Sequence, residues 1–158
     1  MGAVVKMTEA ATVSDTTLRG FMGYHVKRAM SVLQADLNAT LKPFGLRMLT
    51  YSALVMIVDN PGLRQTQLAD ALAIERPNLV VVLDQLEEAG LISRDKVPTD
   101  RRAYALNPTD KGRKLCAEAT AANRADEERL LAGMSAEQRK AVVEAMNLIE
   151  RGRGGPEA

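Results

Sequence analysis

This sequence predicts a mainly α-helical fold with a small β-wing, and three observations predict it. Apolar residues recur at helical spacing over most of the chain. One stretch near residues 91–106 switches to the short period of strands, with the polar run Pro98-Thr99-Asp100-Arg101-Arg102 inside it. Composition agrees, because 46% of the 158 residues are hydrophobic but only 3% are aromatic, with no Trp, which favours helices over a β-sandwich or barrel. The length suits one domain, or a small domain with an oligomerisation element.

The elements follow in chain order. Residues 1–14 lack periodicity and read as a flexible N-terminus without the features of a signal peptide. Leu18, Met22, Val26, Ala29, Leu33, Leu37 and Leu41 then mark one long helix, capped by Ser14 or Asp15 and ended by Pro43 and Gly45. At about 25 residues it carries a stripe that a small domain alone struggles to cover. An apolar segment from Leu49 to Val58 stops at the turn Asn60-Pro61-Gly62. A short helix fits Gln65 to Leu72, with Leu68, Ala71 and Leu72 inward. Another fits Arg76 to Glu88, with Leu79, Val82, Leu83 and Leu86 inward and Gly90 as a left-handed cap.

Leu91 to Arg94 and Ala103 to Leu106 read as two short strands around the polar turn. Thr109 caps a long helix through residue 132, and Ser135-Ala136-Glu137-Gln138 is a capping box for a last helix. That helix aligns Val142, Ala145, Met146 and Ile149, and residues 151–158 read as a disordered tail. The longest nearly apolar run, Tyr51 to Val58, falls far short of the roughly 20 residues that span a bilayer. A cytoplasmic protein without a membrane partner is the expectation.

Charge is distributed unevenly although the net is only +1. Residues 91–114 hold seven cations (Arg94, Lys96, Arg101, Arg102, Lys111, Arg113, Lys114) against three anions, while 75–90 and 115–150 are acidic. Such a basic island, if exposed, attracts phosphates. Two short helices followed by a basic hairpin, over roughly 51–108, make a winged helix-turn-helix. Its second helix fits the major groove of DNA and its hairpin reaches the neighbouring minor groove.

At this point the sequence resembles the MarR (multiple antibiotic resistance regulator) family. The resemblance lies in Gln67-Leu68-Ala69-Asp70-Ala71-Leu72, in Leu83-Asp84-Gln85-Leu86-Glu87-Glu88-Ala89-Gly90-Leu91-Ile92-Ser93-Arg94, in the hairpin Asp100 to Leu106, and in Thr109-Asp110-Lys111-Gly112. It covers essentially residues 15–150, with 15–48 and 109–150 matching the family's dimerisation helices. It implies a two-fold dimer on a pseudo-palindromic double-stranded operator, released by a small ligand. It also implies that Asp100 orients Arg102 into the minor groove, with Arg101 on phosphate. Pro108 departs from the family's usual Leu, which predicts an early end to the second strand.

On the second helix, Pro77, Asn78, Val80, Val81, Asp84 and Gln85 are left facing outward. Asn78 either reads adenine or touches phosphate, and Val80 and Val81 either meet thymine methyls or extend the core. Arg64, Thr66, Arg76 and Lys96 complete the expected DNA-binding set. The expected effector set is Arg19, Tyr24, His25, Lys27, Arg28, Arg47, Met48 and Tyr51. The run Ile74-Glu75-Arg76-Pro77-Asn78-Leu79-Val80 is similar to members that control catabolism of aromatic or hydroxycinnamic acids, which implies an aromatic acid or its coenzyme A thioester as effector.

Other residues point to no chemistry. His25 has no second His or nearby Cys, so it reads as a partly buried structural residue or a ligand donor rather than a metal ligand. Cys116 reads as core, and Met22, Met30, Met48, Met56 and Met146 lie on apolar helical faces. No phosphate loop, catalytic carboxylate pair or Ser/His/Asp set occurs, so no enzyme and no cofactor are expected. Two other classes stay open: a winged domain used only for protein binding, and a relative of winged-domain methyltransferases lacking the cofactor domain.

Overall fold

The computed structural model describes residues 13–97 and 100–152, with backbone only over 100–103. The expected flexible start (residues 1–12), Pro98 and Thr99 of the hairpin turn, and residues 153–158 of the expected tail lie outside the described residues. The chain divides into two units, Met1–Gln34 and Ala35–Ala158.

In the first unit a single 3-10 turn, Leu18–Gly20, precedes the start of helix α1, Met22–Leu41, whose residues from Ala35 belong to the second unit. Phe21 between them is extended at φ −112° and ψ 129°, so the expected unbroken helix from residue 15 starts later. Asp15 caps nothing: it accepts hydrogen bonds from Tyr24 Oη at 2.6 Å and Arg19 Nε at 2.8 Å. Those contacts, first the Tyr24 hydroxyl and then Arg19, hold its carboxyl below the usual range. Met22, Met30 and Leu33 on α1 are exposed within this chain, against the expectation of core methionines.

The second unit holds the core. Helix α2, Met48–Asp59, turns Tyr51, Ala53, Leu54 and Ile57 inward. The 3-10 turn Lys42–Phe44 and Gly45, at φ +67°, separate it from α1 where the Pro43 signal lies. Strand β1 (Leu63–Arg64), helix α3 (Gln65–Ala71) and helix α4 (Arg76–Glu88) follow. Strands β2 (Ile92–Val97) and β3 (Asp100–Pro108) lead to helices α5 (Asp110–Leu130) and α6 (Ala136–Gly152). Leu41, Leu54, Ile57, Leu68, Leu79, Leu83, Leu86 and Leu106 are fully buried. Each such side chain stabilises by about 1.5–3 kcal/mol, enough in sum to fix α4 against its neighbours.

The sheet is antiparallel in the order β1-β3-β2, with Leu106 of β3 paired to both Leu63 and Arg94. Sequence periodicity missed β1, which is only two residues long. Both wing strands run longer than expected, and Pro108 remains in β3 opposite Ile92. Strand β1 pairs only with Ala105 and Leu106, so β3 has one open edge at Pro108, where a missing N–H is tolerated. On α3 the buried pair is Leu68 and Ala69; Ala71 is exposed and Leu72 half-buried. Helix α5 stops at Leu130 rather than 132, and α6 continues through Arg151 and Gly152, where a disordered tail was expected. The capping box is present: Gln138 Oε1 accepts from Ser135 N at 2.8 Å, and Ser135 Oγ from Gln138 N at 3.3 Å.

Candidate nucleic-acid interface

Helices α3 and α4 meet through a four-residue hinge, Leu72 to Glu75. Ala73 adopts φ +51°, and Ile74 N returns to Ala69 O at 3.1 Å, which closes the end of α3. Pro77 in the first turn of α4 sits where its missing N–H is harmless. With Leu79, Val82, Leu83 and Leu86 inward, the remaining face of α4 presents Arg76, Pro77, Asn78, Val80, Val81 and Gln85, all exposed. Val80 and Val81 are 42% and 56% exposed, so they do not extend the core. Thr66 is exposed on α3, and Arg64 is exposed just before it, its backbone N–H held by Gln67 Oε1 at 3.0 Å.

The wing joins this face through contacts that sequence reading missed. Arg94 on β2 donates from Nη2 to Asp84 Oδ1 at 2.5 Å and from Nε to Glu87 Oε2 at 2.8 Å. The paired carboxylates, Glu87 first and then Asp84, hold its guanidinium above the ordinary arginine range. The signal was present: two acids three residues apart on one helical face, then an Arg just past the Gly90 turn. Lys111 Nζ donates to Ala89 O at 2.7 Å, and Thr109 Oγ1 to Gly90 O at 2.7 Å, which seals the end of α4. Two cations of the basic island, Arg94 and Lys111, are therefore used inside the fold and are not free for phosphate. Lys96 is exposed near the hairpin tip. Asp100, Arg101 and Arg102 form the start of β3, but their side chains lie outside the described residues.

The effector residues fall in both units. In the first, Arg28 lies over the Tyr24 ring at 5.7 Å, and His25 Nε2 is 2.8 Å from Arg19 O. His25 is exposed, not partly buried, and Lys27 is exposed on α1. In the second, an open groove of about 460 Å³ runs along Asn38, Lys42, Gly45, Leu46 and Arg47. Met48 N donates to Asn38 Oδ1 at 2.8 Å at the start of α2. Tyr51 is buried with its hydroxyl 3.0 Å from Thr120 Oγ1 of α5. Cys116 is buried as expected, and burial pushes its thiol up, away from the reactive thiolate. Among the described residues no group of three metal-ligating side chains occurs, and no single helix is long and apolar enough to cross a membrane.

Comparison with known proteins places this geometry. A model of the MarR family matches residues 46–104, which span α2 through most of the wing. A protein of Thauera aromatica described as a transcriptional regulatory protein for the hcr operon is 37% identical over 106 residues, 66% of this chain. This chain spans 64% of that relative's length. A structure of the transcriptional repressor CouR bound to a 23-mer DNA duplex is 35% identical and superposes with a TM-score of 0.84 over 88% of this chain and 99% of that one. A structure of CouR bound to p-coumaroyl-CoA is 33% identical with a TM-score of 0.81, over 88% and 98% of the two chains. The chain belongs to the MarR family.

Proposed function

We propose that this MarR-family chain is a dimeric transcription regulator that reads a pseudo-palindromic double-stranded operator and is released by a small aromatic ligand. The observation that carries the reading is the outward face of α4, where Arg76, Asn78 and Gln85 stand exposed on the second helix of a helix-turn-helix. Side chains of these types reach base edges and phosphates from a helix in the major groove. The DNA-bound relative supports it. Arg102 enters the minor groove, oriented by Asp100, with Arg101 and Lys96 on phosphate. No catalytic step is assigned, and action on DNA sets the cytoplasm as its place of work.

Affinity for a duplex should fall steeply with salt, at a log–log slope of about −0.9 per phosphate neutralised. Arg102→Ala should weaken binding by about 1–3 kcal/mol, and Asp100→Ala by less, because it frees the arginine without deleting it. Fluorescence anisotropy over a salt series measures both. Salt-independent binding, or none, would leave a protein-binding module as the better reading.

The p-coumaroyl-CoA-bound relative supports an aromatic acyl-CoA as effector. Arginine suits its phosphates because the planar guanidinium makes two charge-assisted hydrogen bonds at once. Arg28→Ala and Arg47→Ala, tested separately, should each lower thioester affinity and leave ligand-free DNA binding unchanged. Calorimetry with p-coumaroyl-CoA and with free p-coumarate decides the effector class, and equal affinity for the two would favour the plain acid.

A further inference from the structure

We propose that Val80 and Val81 read the 5-methyl groups of thymine in the major groove, so that each half-site carries A·T pairs beneath the second turn of α4. The inference rests on the DNA-reading function proposed above and adds the base chemistry that the helix selects.

A helix advances about 100° per residue, so the direction of each side chain follows from the buried ones. With Leu79, Val82, Leu83 and Leu86 defining the core side, Val81 points within about 30° of directly away from it, and Val80 within about 70°. Their exposures of 56% and 42% follow the same order. β-Branched residues are poor helix formers, and nothing in this chain covers these two among the described residues. Asn78 and Gln85 flank them with exposed amides. Asp84, one turn onward from Val80, would oppose an approaching polyanion, but Arg94 holds it in an ion pair that it shares with Glu87. The result is an apolar spot framed by hydrogen-bonding groups and without a free carboxylate beside it.

Among the bases, only thymine presents a methyl group in the major groove, beside the acceptors and donors of its pair. Two valines between two amides match that pattern: the amides suit the N6 and N7 edge of adenine, and the valines suit the methyl across the pair. A second protein copy, the other natural occupant of an apolar spot, would not need the neighbouring Arg76.

The test begins with duplexes selected by the full-length protein from a random-sequence library. Each half-site thymine is then replaced singly by deoxyuridine, which deletes the methyl and leaves every hydrogen-bonding group. One or two positions per half-site should lose about fourfold in affinity, the value of one buried methylene at ≈0.8 kcal/mol. Val80→Ala and Val81→Ala should bind the thymine duplex more weakly and each lose the discrimination at one position. Val81→Thr, of the same shape, keeps the fold in view if an alanine variant is poorly behaved, and should lose part of it, because one of the two methyls becomes a hydroxyl. Equal affinity for thymine and deoxyuridine duplexes at every position overturns the inference alone. Discrimination that persists in both alanine variants, or a changed oligomeric state in them, overturns it too. Failure to select any sequence overturns the DNA-reading function, and the inference with it.

Discussion

Arg94 Nη2 lies 2.5 Å from Asp84 Oδ1, an ion pair that fastens the first wing strand to the recognition helix. Glu87 receives the same guanidinium. The arginine is a fifth exposed, whereas Asp84 and Glu87 are nearly half exposed, so solvent screens the attraction.

Removal of this contact should weaken DNA binding although Arg94 need touch no DNA. Arg94→Ala leaves two unpaired carboxylates on α4 facing a polyanion, and frees the wing from the helix. Folding stability should drop by only about 1 kcal/mol, as for a partly exposed pair. Operator affinity should drop more, and the added changes Asp84→Asn and Glu87→Gln should restore part of it. Anisotropy and thermal unfolding on the same variants separate the two effects. Equal losses in the single and triple variants would show that charge on α4 is irrelevant.

Backbone geometry at two small residues gives opposite outcomes. A Cβ built on Gly112 would land on the backbone carbonyl of Leu91, where α5 crosses the end of α4. Gly112→Ala must push backbone apart and should cost about 1–3 kcal/mol or more. Ala73 pays about 1–2 kcal/mol for its left-handed φ in the helix-turn-helix hinge, so Ala73→Gly should recover part of it. Chemical denaturation of both variants measures the difference in sign.

Much of the fold and of the recognition face was legible in the amino-acid sequence. The Leu79-Val82-Leu83-Leu86 stripe set the rotation of α4, and with it the outward residues, because four apolar positions at helical spacing admit one orientation. Thr109 and the Ser135 box fixed two helix starts through chemistry local to the chain. What escaped was non-local. Strand β1 exists because Leu63 and Arg64 find β3 some forty residues onward, and two residues carry no period. The Arg94 clamp and the Lys111 cap also join elements apart in sequence, so charge counting left both cations in the basic island without showing that the fold uses them. Ala69 rather than Ala71 is buried on α3 because a helix of seven residues leaves its rotation to its neighbours.

Acid should loosen the link between α5 and the end of α1. Asp126 accepts from Arg129 Nη2 at 2.5 Å and from Thr40 Oγ1 at 2.8 Å, while Arg129 also reaches Asp36 at 3.2 Å. Arg129 foremost, then Thr40, brings the Asp126 carboxyl down to about 2, from an ordinary 3.8. A carboxyl lowered on folding stabilises above its unfolded value and loses that contribution as pH falls through the folded one. Wild type should therefore be more stable than Asp126→Asn at pH 7, and the gap should close between about pH 4 and pH 2. A gap constant over that range in thermal unfolding would assign the effect to packing instead.

The last helix carries the clearest sign of a second copy. Helix α6 is seventeen residues long and buries none of them within this chain. Val142, Met146 and Ile149 recur at spacings of three and four, which aligns them on one face, and they are 47%, 36% and 55% exposed. An apolar stripe of this kind on a long helix calls for cover in solution, and a two-fold partner would cover it with the same stripe. Ile149→Glu places a charge in that contact, which must then be desolvated without a partner, at several kcal/mol. Sedimentation at micromolar concentration should show a dimer for wild type and a folded monomer, with unchanged helical content, for the variant. A palindromic duplex needs both recognition helices held about one DNA turn apart, so the variant should bind it hardly better than a single half-site. A dimer that survives Ile149→Glu with full operator affinity would move the interface away from α6.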